Sequence, residues 1–593
     1  MKYSILADTY KKLDSTTKRL EMIDILMDLF DKTPKEVFRE VIYLTSGKIG
    51  ADYEDLELGF ADKMVIKAIA KTVGRSEDVV SNLFKSKGDL GEVAEELMAK
   101  TGQQHLGAFF QTDESKSSDS LDVKDIWESF QRIAEKEGKG SSDKKTKTLI
   151  GLFTKATPLE AKYITRTILS QLRLGVKDLT IIEALSRKFG EGEKSRKIIE
   201  HAYNVTSDIG EVGEVLVRKG ISGVKEITIK VGRPIRMMAA QRMLSAEEIL
   251  EKLGGKCALE FKYDGERVQA HISKDEIALY SRNLNEISSM YPDVQKALRT
   301  SINSKDVILE GEITAWNPDT GKLKSFQILM SRKRKYDIDK VMEEVPVKVF
   351  LFDILYLNGE SLLDESYPNR RKILESIVRE NNVIVTASQE IVSSPEAFEN
   401  YFEIAIENGC EGIMAKDIRP ASQYQAGNRG FLWIKHKFDY TSAFVDSFDF
   451  VVIGGFYGKG RRKGTLGTLL MAAFNPELER FETVCKLGSG FSDEELSKLT
   501  EELLELKIER KPKDVFSKME PDVWIDPIKV LEIQGADLST SPIHTCALDE
   551  IKKDFGIAIR FPRFIRFRDD KSPEFATTTN EVIYAYKNQR SQK

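Results

Sequence analysis

The spacing of apolar residues changes once along this chain, near Lys230, and that change limits what it can fold into. Before it, segments such as LEMIDILMDLF (from Leu20) and DLGEVAEELMAK (from Asp89) repeat apolar residues every three or four positions, the period of an amphipathic helix. The opening MKYSILADTYKKL also reads as a helix. Thr157-Pro158-Leu159-Glu160 is a helix start: the threonine can cap, proline suits the first turn, and Glu160 can close a capping box. The helix that follows is expected to carry Arg166 and Arg173 and to stop near Gly175. Polar stretches from Thr112 (TDESKSSDSLD) and Glu135 (EKEGKGSSDKKTK) are expected to be exposed loops.

VGRPIRMMAAQR, from Val231, reads as an interdomain connection. Beyond it come short runs rich in β-branched and aromatic residues: CALEFKYDG, VQAHIS, EIALYS, DVILEGEITAW and PVKVFLFDILYL. With helices such as NRRKILESIV between them, they predict a mixed α/β (α+β) domain with antiparallel sheets, ending near Tyr440. The last part opens with FDFVVIGGFYGKGRRKGTLGTLLMAAF, two strands around a glycine-rich basic loop. A helix start at Ser492 and Glu495 and further strands in VLEIQGADL and GIAIRFPRFIRF suit a small β-barrel such as an OB-fold. A chain of 593 residues exceeds what one hydrophobic core supports. The expected division is an all-α domain over 1–225, an α/β domain over 226–440 and a β-barrel over 441–593.

The formal net charge is −5, so a nucleic-acid partner cannot be read from the overall balance, and local charge must decide. Cys257, Cys410, Cys485 and Cys546 lie far apart, which argues against a structural zinc site and a secreted disulfide framework and for small core residues. No apolar run approaches the roughly 20 residues that cross a bilayer, and no targeting segment is evident, so a cytoplasmic or otherwise intracellular protein without a membrane partner is expected.

Lys262-Tyr263-Asp264-Gly265-Glu266-Arg267 carries the pattern K-x-D-G-x-R at the end of an apolar strand. Four fixed residues would match by chance in roughly one such chain in a hundred at average composition. Alone, the hexapeptide also fits a surface turn with Asp264-Gly265 at its tip. Its residue types suit a covalent chemistry as well. A lysine that attacks phosphorus must be neutral, and its reference pKa is about 10.4, so burial or nearby cations must lower it. Arg267 and lysines further along could supply that field and neutralise phosphate charge in the transition state.

Further elements follow in a fixed order: Ser281-Arg282-Asn283, Glu310-Gly311-Glu312, Phe352-Asp353, Glu411-Gly412-Ile413-Met414-Ala415-Lys416, Trp433-Ile434-Lys435-His436-Lys437 and Arg568-Asp569-Asp570-Lys571. With the hexapeptide they resemble the motifs of the nucleotidyltransferase superfamily of DNA ligases, RNA ligases and mRNA capping enzymes. Across the whole chain the resemblance is to ATP-dependent DNA ligases of the archaeal and eukaryotic replicative type.

That resemblance implies sealing of nicks in duplex DNA, with ATP and Mg²⁺ as cofactors, in replication, recombination and repair. Lys262 would become AMP-lysine, and Glu260, two residues earlier and on the same strand face, would recognise adenine. Phe352 would stack on the base, although it also fits a core position. Glu312 would contact the ribose and, with Glu411, favour the divalent cation. Arg267, Arg282 and Arg429 would hold sugar or phosphate, and Lys435 and Lys437, which share a strand face, the α-phosphate. Arg568 and Lys571, in a basic run with Arg560, Arg563 and Arg566, would orient the pyrophosphate when the barrel closes over the site.

Two positions depart from the family. Pro234-Ile235-Arg236-Met237-Met238 lacks a second proline common there, which removes a source of stiffness from the connection. Phe575 stands where an acidic residue is common. The clusters Ser331-Arg332-Lys333-Arg334-Lys335 and Gly458-Lys459-Gly460-Arg461-Arg462-Lys463 read as sequence-independent DNA backbone contacts or as solvated turns. The five histidines, His105, His201, His271, His436 and His544, show no metal spacing.

Gln103-Gln104-His105-Leu106-Gly107-Ala108-Phe109-Phe110 resembles the box by which replication proteins enter a sliding clamp. One helical turn would present Leu106, Phe109 and Phe110 as an apolar plug with Gln103 as polar anchor; a helix end with core phenylalanines is the alternative. A monomer is expected. An RNA ligase or capping enzyme is disfavoured by the large helical region, and an NAD-dependent ligase by the missing four-cysteine cluster. A non-catalytic DNA-binding or clamp-associated scaffold would have no use for Lys262 together with Glu312, Glu411 and Lys435.

Overall fold

The computed structural model describes residues 1–54, 56–108, 120–136, 140–274, 276–318, 321–324, 326–333, 338–437, 446–458, 465–535, 537–560 and 562–591. From Tyr3 to Lys225 the regular elements are helices, packed on one core that runs from Tyr3 to Val224. Thr157 caps the helix Pro158–Ile168, with the reciprocal bond from Glu160 in place.

That helix stops at Ile168 rather than near Gly175. Ser170 and Arg173 take φ values of 54° and 50°, and Arg173 turns toward Asp526 of the C-terminal domain, 3.7 Å away. A contact between domains thus overrides the local periodicity. The polar stretch from Glu135 also differs from its expectation, since Ser141–Phe153 is a helix. It buries Leu149, Leu152 and Phe153, and Lys145 lays its stem inside and donates to Leu58 O at 3.0 Å. Polar residues there form the outer face of a helix whose apolar stripe is short. The backbone of Gln103 and Leu106 continues the helix Leu90–Ala108, while their side chains, Phe109, Phe110 and the stretch 112–119 lie outside the described residues.

The connection is pinned by side chains where a proline is missing. The Ile235 amide donates to Gln269 Oε1 at 2.7 Å, and Arg236 Nη1 meets Asp52 at 2.7 Å and the Tyr203 hydroxyl at 2.5 Å.

The middle region builds two sheets. Its strands are β1 (Ala239–Arg242), β2 (Cys257–Lys262), β3 (Glu266–Ile272), β4 (Ile277–Ser281), β5 (Val307–Asn317), β6 (Lys322–Leu323), β7 (Val347–Leu357), β8 (Glu360–Ser361), β9 (Ile384–Thr386), β10 (Gln389–Val392), β11 (Gly412–Asp417) and β12 (Arg429–Lys437). One sheet has the order β1-β12-β11-β2-β10; the other runs β4-β3-β5-β7-β8, with β6 on β5 and β9 on β7. The pairings are antiparallel except β1 with β12 and β7 with β9.

The C-terminal domain is strand-rich: β13 (Asp446–Tyr457), β14 (Leu466–Asn475), β15 (Arg480–Leu487), β16 (Lys507–Ile508), β17 (Val515–Phe516), β18 (Val523–Ile525), β19 (Val530–Gly535), β20 (Asp537–Ser541), β21 (Gly556–Arg560) and β22 (Arg563–Phe567). β13, β14 and β15 form an antiparallel meander, and β19 links β13 to β22. Ser492 and Glu495 make the expected capping box at the head of helix Asp493–Glu505. A further helix, Thr579–Ser591, follows the last strand. Val582 and Ala585 enter the C-terminal core, while Tyr584 packs on the middle domain and donates to Glu248.

Candidate active site

The chain crosses from one sheet to the other at the hexapeptide. Lys262 ends β2, and Arg267 lies on β3. Asp264 Oδ2 accepts from the Phe326 amide at 3.0 Å, which fixes the turn between them. A Cβ on Gly265 would lie 2.2 Å from Ile313 O and 2.9 Å from Glu312 Cγ. Glycine thus lets the turn press on β5, where Glu312 stands opposite Arg267. The Lys262 side chain is 23% exposed, and Asp264 and Gly265 in the turn are half-buried.

Strand register brings together motifs that are far apart in sequence. Gly412 of β11 sits opposite Lys262 of β2 and Lys437 of β12; two residues further along, on the same face, Met414 sits between Glu260 and Lys435. The Glu411 amide donates to Lys262 O at 2.9 Å, and its carboxylate accepts from Lys262 and from Lys437, the latter at 3.0 Å. Burial alone would raise the Glu411 carboxyl, but Lys262 and Lys437 hold it well below the usual range. Glu312 makes no ion pair among the described residues, and burial pushes it up to about 8 against the pull of Lys262 and Arg267.

Glu260, Lys262, Arg267, Arg282, Glu312, Phe352, Arg429, Lys435, Lys437, Arg568 and Lys571 line one cavity; Glu411 meets it through Lys262 and Lys437. Arg267 is held by Glu310 at 2.8 Å and Met238 O at 2.6 Å, over the rings of Phe352 and Trp433, and its buried Nε has no acceptor among the described residues. Glu260 is buried. Its Oε2 pairs with Lys416 at 2.6 Å, and its Oε1 accepts from Tyr367 and Arg371. Lys416 itself stands over Phe352, Trp433 and Tyr367.

The C-terminal domain closes the cavity. Arg568 Nη1 pairs with Asp449 at 3.1 Å, and Lys571 also pairs with Asp449. Burial and the Arg568 charge push the Lys571 ammonium down to about 7. Burial likewise lowers Lys435. Among the described residues no cluster of three metal-ligating side chains exists. Two carboxylates, Glu312 and Glu411, stand near Lys262, a donor set that suits Mg²⁺, which takes its other ligands from water and phosphate.

Family models match in three blocks: the DNA ligase N terminus over residues 2–186, the ATP dependent DNA ligase domain over 237–437 and the ATP dependent DNA ligase C terminal region over 462–571. DNA ligase 2 of Thermofilum pendens is 48% identical over 590 residues, covering 99% of this chain and 98% of its own. A DNA ligase of Saccharolobus shibatae is 44% identical over 594 residues, covering 100% and 98%. The chain belongs to the ATP-dependent DNA ligases. The family reaction is nick sealing through an adenylate intermediate.

Sequence reasoning gave no role to Asp449, Lys416, Tyr367 or Glu581, all of which hold cavity residues. Glu581, on the C-terminal helix, pairs with Arg429 at 2.9 Å and Lys435 at 3.8 Å. Burial alone would raise it, but Arg429 and Lys435 hold it at about 2. Its signal was present as Thr578-Thr579-Asn580-Glu581, a capping box whose two bonds form at 2.8 and 3.2 Å. Lys416 closes the motif that begins at Glu411, although no role was read for it, whereas Asp449 and Tyr367 carry no local pattern and are brought to the site only by tertiary packing. Among the described residues no helix is long and apolar enough to cross a membrane.

Proposed function

We propose that Lys262 is the adenylylated residue and that the cavity around it performs the first step of sealing. The Lys262 amine, once it has given up its proton, attacks the α-phosphorus of ATP; a P–N bond forms, the bond to the β-phosphate bridging oxygen breaks and pyrophosphate leaves. Lys435 and Lys437 face the α-phosphate, and Arg568 and Lys571 the leaving group. Glu260 and Phe352 receive adenine, the base stacking on Phe352; Glu260 accepts from Lys416, Tyr367 and Arg371 and keeps about one lone pair for the base. Glu312 contacts the ribose, and Arg267, Arg282 and Arg429 sugar or phosphate. Glu312 and Glu411 would hold Mg²⁺, which when bound neutralises phosphate charge. AMP then passes to the 5′-phosphate of a nick, and the 3′-hydroxyl displaces it. The observation that carries this reading is the pairing of Lys262 and Lys437 across Gly412 with Glu411 joining their ammonium groups. In-line geometry and charge neutralisation account for most of the rate.

The remaining assignments follow the same reading. Residues 1–225 bind duplex DNA, 226–440 adenylate, and 441–593 form an OB-fold that closes for the first step and swings away to admit the nick. The basic residues Lys333, Arg334 and Lys335 and the segment 458–463 track the DNA backbone; Arg332, expected among them, is instead buried and paired with Asp293 at 2.8 Å, so it is excluded. The enzyme acts as an intracellular monomer in replication, recombination and repair, tethered to a sliding clamp through Gln103, Leu106, Phe109 and Phe110.

Incubation with α-labelled ATP and Mg²⁺ tests the core claim. An acid-labile adduct is expected on the wild type and none on Lys262→Ala; a bare wild type or an undiminished variant overturns it. The tether is tested by the Phe109→Ala, Phe110→Ala double variant, which should lose clamp binding; unchanged affinity refutes it.

A further inference from the structure

Phe575, the aromatic that replaces a common acidic residue, ends the short turn Pro573–Phe575 just after the last basic motif. Its ring lies beneath the Arg282 guanidinium, with Cζ 5.0 Å from the ring centroid. Its carbonyl accepts from Arg429 Nη2 at 3.4 Å. The preceding residue, Glu574, approaches Lys177 of the helical domain at 3.9 Å. One turn of the C-terminal domain therefore touches both other domains.

Arg282 is the residue this turn bears on most. It lies on the second motif, at the cavity wall, and among the described residues it makes no ion pair. Burial, with Arg267, Arg429 and Arg568 nearby, pushes it down to about 10. A side chain crowded by like charges is driven outward unless something holds it. A carboxylate at position 575 would hold it by neutralising it, and would then compete with a phosphate for the same guanidinium. An aromatic face attracts the cation through its quadrupole and leaves the charge and all five N–H donors available.

We propose that Phe575 is a positioning residue for self-adenylation: its ring holds Arg282 against the nucleotide cavity while the C-terminal domain is closed, without neutralising it. The contact spans two domains, so it exists only in the closed arrangement and is given up when the domain swings away. This rests on the reading that Arg282 meets the nucleotide.

The test is single-turnover adenylation of the full-length enzyme at varied ATP, run beside sealing of a nick already carrying AMP on its 5′-phosphate, a step that uses no ATP. Phe575→Ala should raise the KM for ATP by ~3- to 30-fold, the range of a partly desolvated cation–π contact. Phe575→Tyr should restore it to within about twofold, because the ring face is kept. Phe575→Asp should be at least as poor as alanine. The rate of sealing the pre-adenylylated nick should fall by far less than adenylation in the alanine variant. A wild-type KM in Phe575→Ala, a tyrosine variant as poor as alanine, or equal losses in both steps would each overturn the proposal. A wild type that forms no adduct at all would instead sink the assignment of Lys262, so the two failures are distinguishable.

Discussion

Replacing Gly265 with alanine tests whether the hexapeptide is a packed hinge between two sheets. The added Cβ would lie 2.2 Å from Ile313 O and 2.9 Å from Thr314 Cγ2. Neither obstacle is free to yield, because Ile313 is paired with Glu266 on one side and Val349 on the other. An ordinary contact needs about 3.5 Å, so the turn must retreat by about 1 Å. Overpacking of this kind costs roughly 1–3 kcal/mol of stability. The effect on chemistry is larger, since a reacting group misplaced by about 1 Å loses on the order of 100-fold in rate. The turn carries Lys262 at its start and Arg267 just past its end, so both move relative to Glu312. The assay is the rate of adduct formation from α-labelled ATP at saturating concentration, with thermal unfolding of the same sample. Gly151→Ala serves as the control. That glycine lies in the helix Ser141–Phe153 with no atom near its missing Cβ, and the exchange should stabilise the helix by about 1 kcal/mol and leave adenylation unchanged. If Gly265→Ala folds and adenylates within about threefold of wild type, the close packing of turn on strand is not what positions the lysine.

Glu581→Gln leaves Arg429 and Lys435 without their buried counter-charge, and the C-terminal helix should loosen from the middle domain. Hydrogen exchange over residues 579–588 should quicken while the helical domain keeps its protection; unchanged exchange would refute the docking role. Lys416→Met removes one of two buried cations paired with Glu260 and leaves Arg371 at 3.4 Å, so the loss stays below the roughly 3–5 kcal/mol of a buried pair that loses its sole partner. The KM for ATP should rise by at least tenfold with a smaller change in kcat, and an unaltered KM would show that the pair does not shape the base pocket. Burial pushes the His271 imidazole down to about 3, and its Nδ1 accepts from the Gly232 amide at 3.1 Å. The unfolded chain therefore binds a proton that the folded chain refuses. The stabilisation is complete above about pH 6.5 and is lost toward about 3, at ~1.4 kcal/mol per pH unit. Urea midpoints at pH 7 and pH 5 should differ less in His271→Gln than in the wild type, and equal differences would refute the assignment.

Much of the site was legible because its chemistry is local. Lys262, Arg282, Glu312, Glu411, Lys437 and Lys571 each sit in a short pattern that names them, and the structure brings their patterns to one place. The residues that hold them were not legible. Asp449 lies in FDFVV, a plain strand, and nothing there says that it faces Arg568 and Lys571. Tyr367 opens an ordinary helix, yet its hydroxyl meets a carboxylate on β2. The two misread segments near Glu135 and Gly175 failed for a related reason: a buried lysine stem and a contact with Asp526 are tertiary facts, absent from any window of sequence.

The sequence by itself determined the period of each segment, the order of the motifs and the identity of every group that could carry charge or attack phosphorus. Those depend on side-chain chemistry and on spacings within about ten residues, which a chain states directly. Tertiary structure decided which charges neutralise which. Lys262 meets Glu411 because β2 and β11 are adjacent, Arg429 meets Glu581 because a terminal helix folds back, and Arg282 rests on Phe575 because the C-terminal domain closes on the middle one. Electrostatic interaction falls with distance in space and takes no account of distance along the chain, so only the folded molecule could settle those partners.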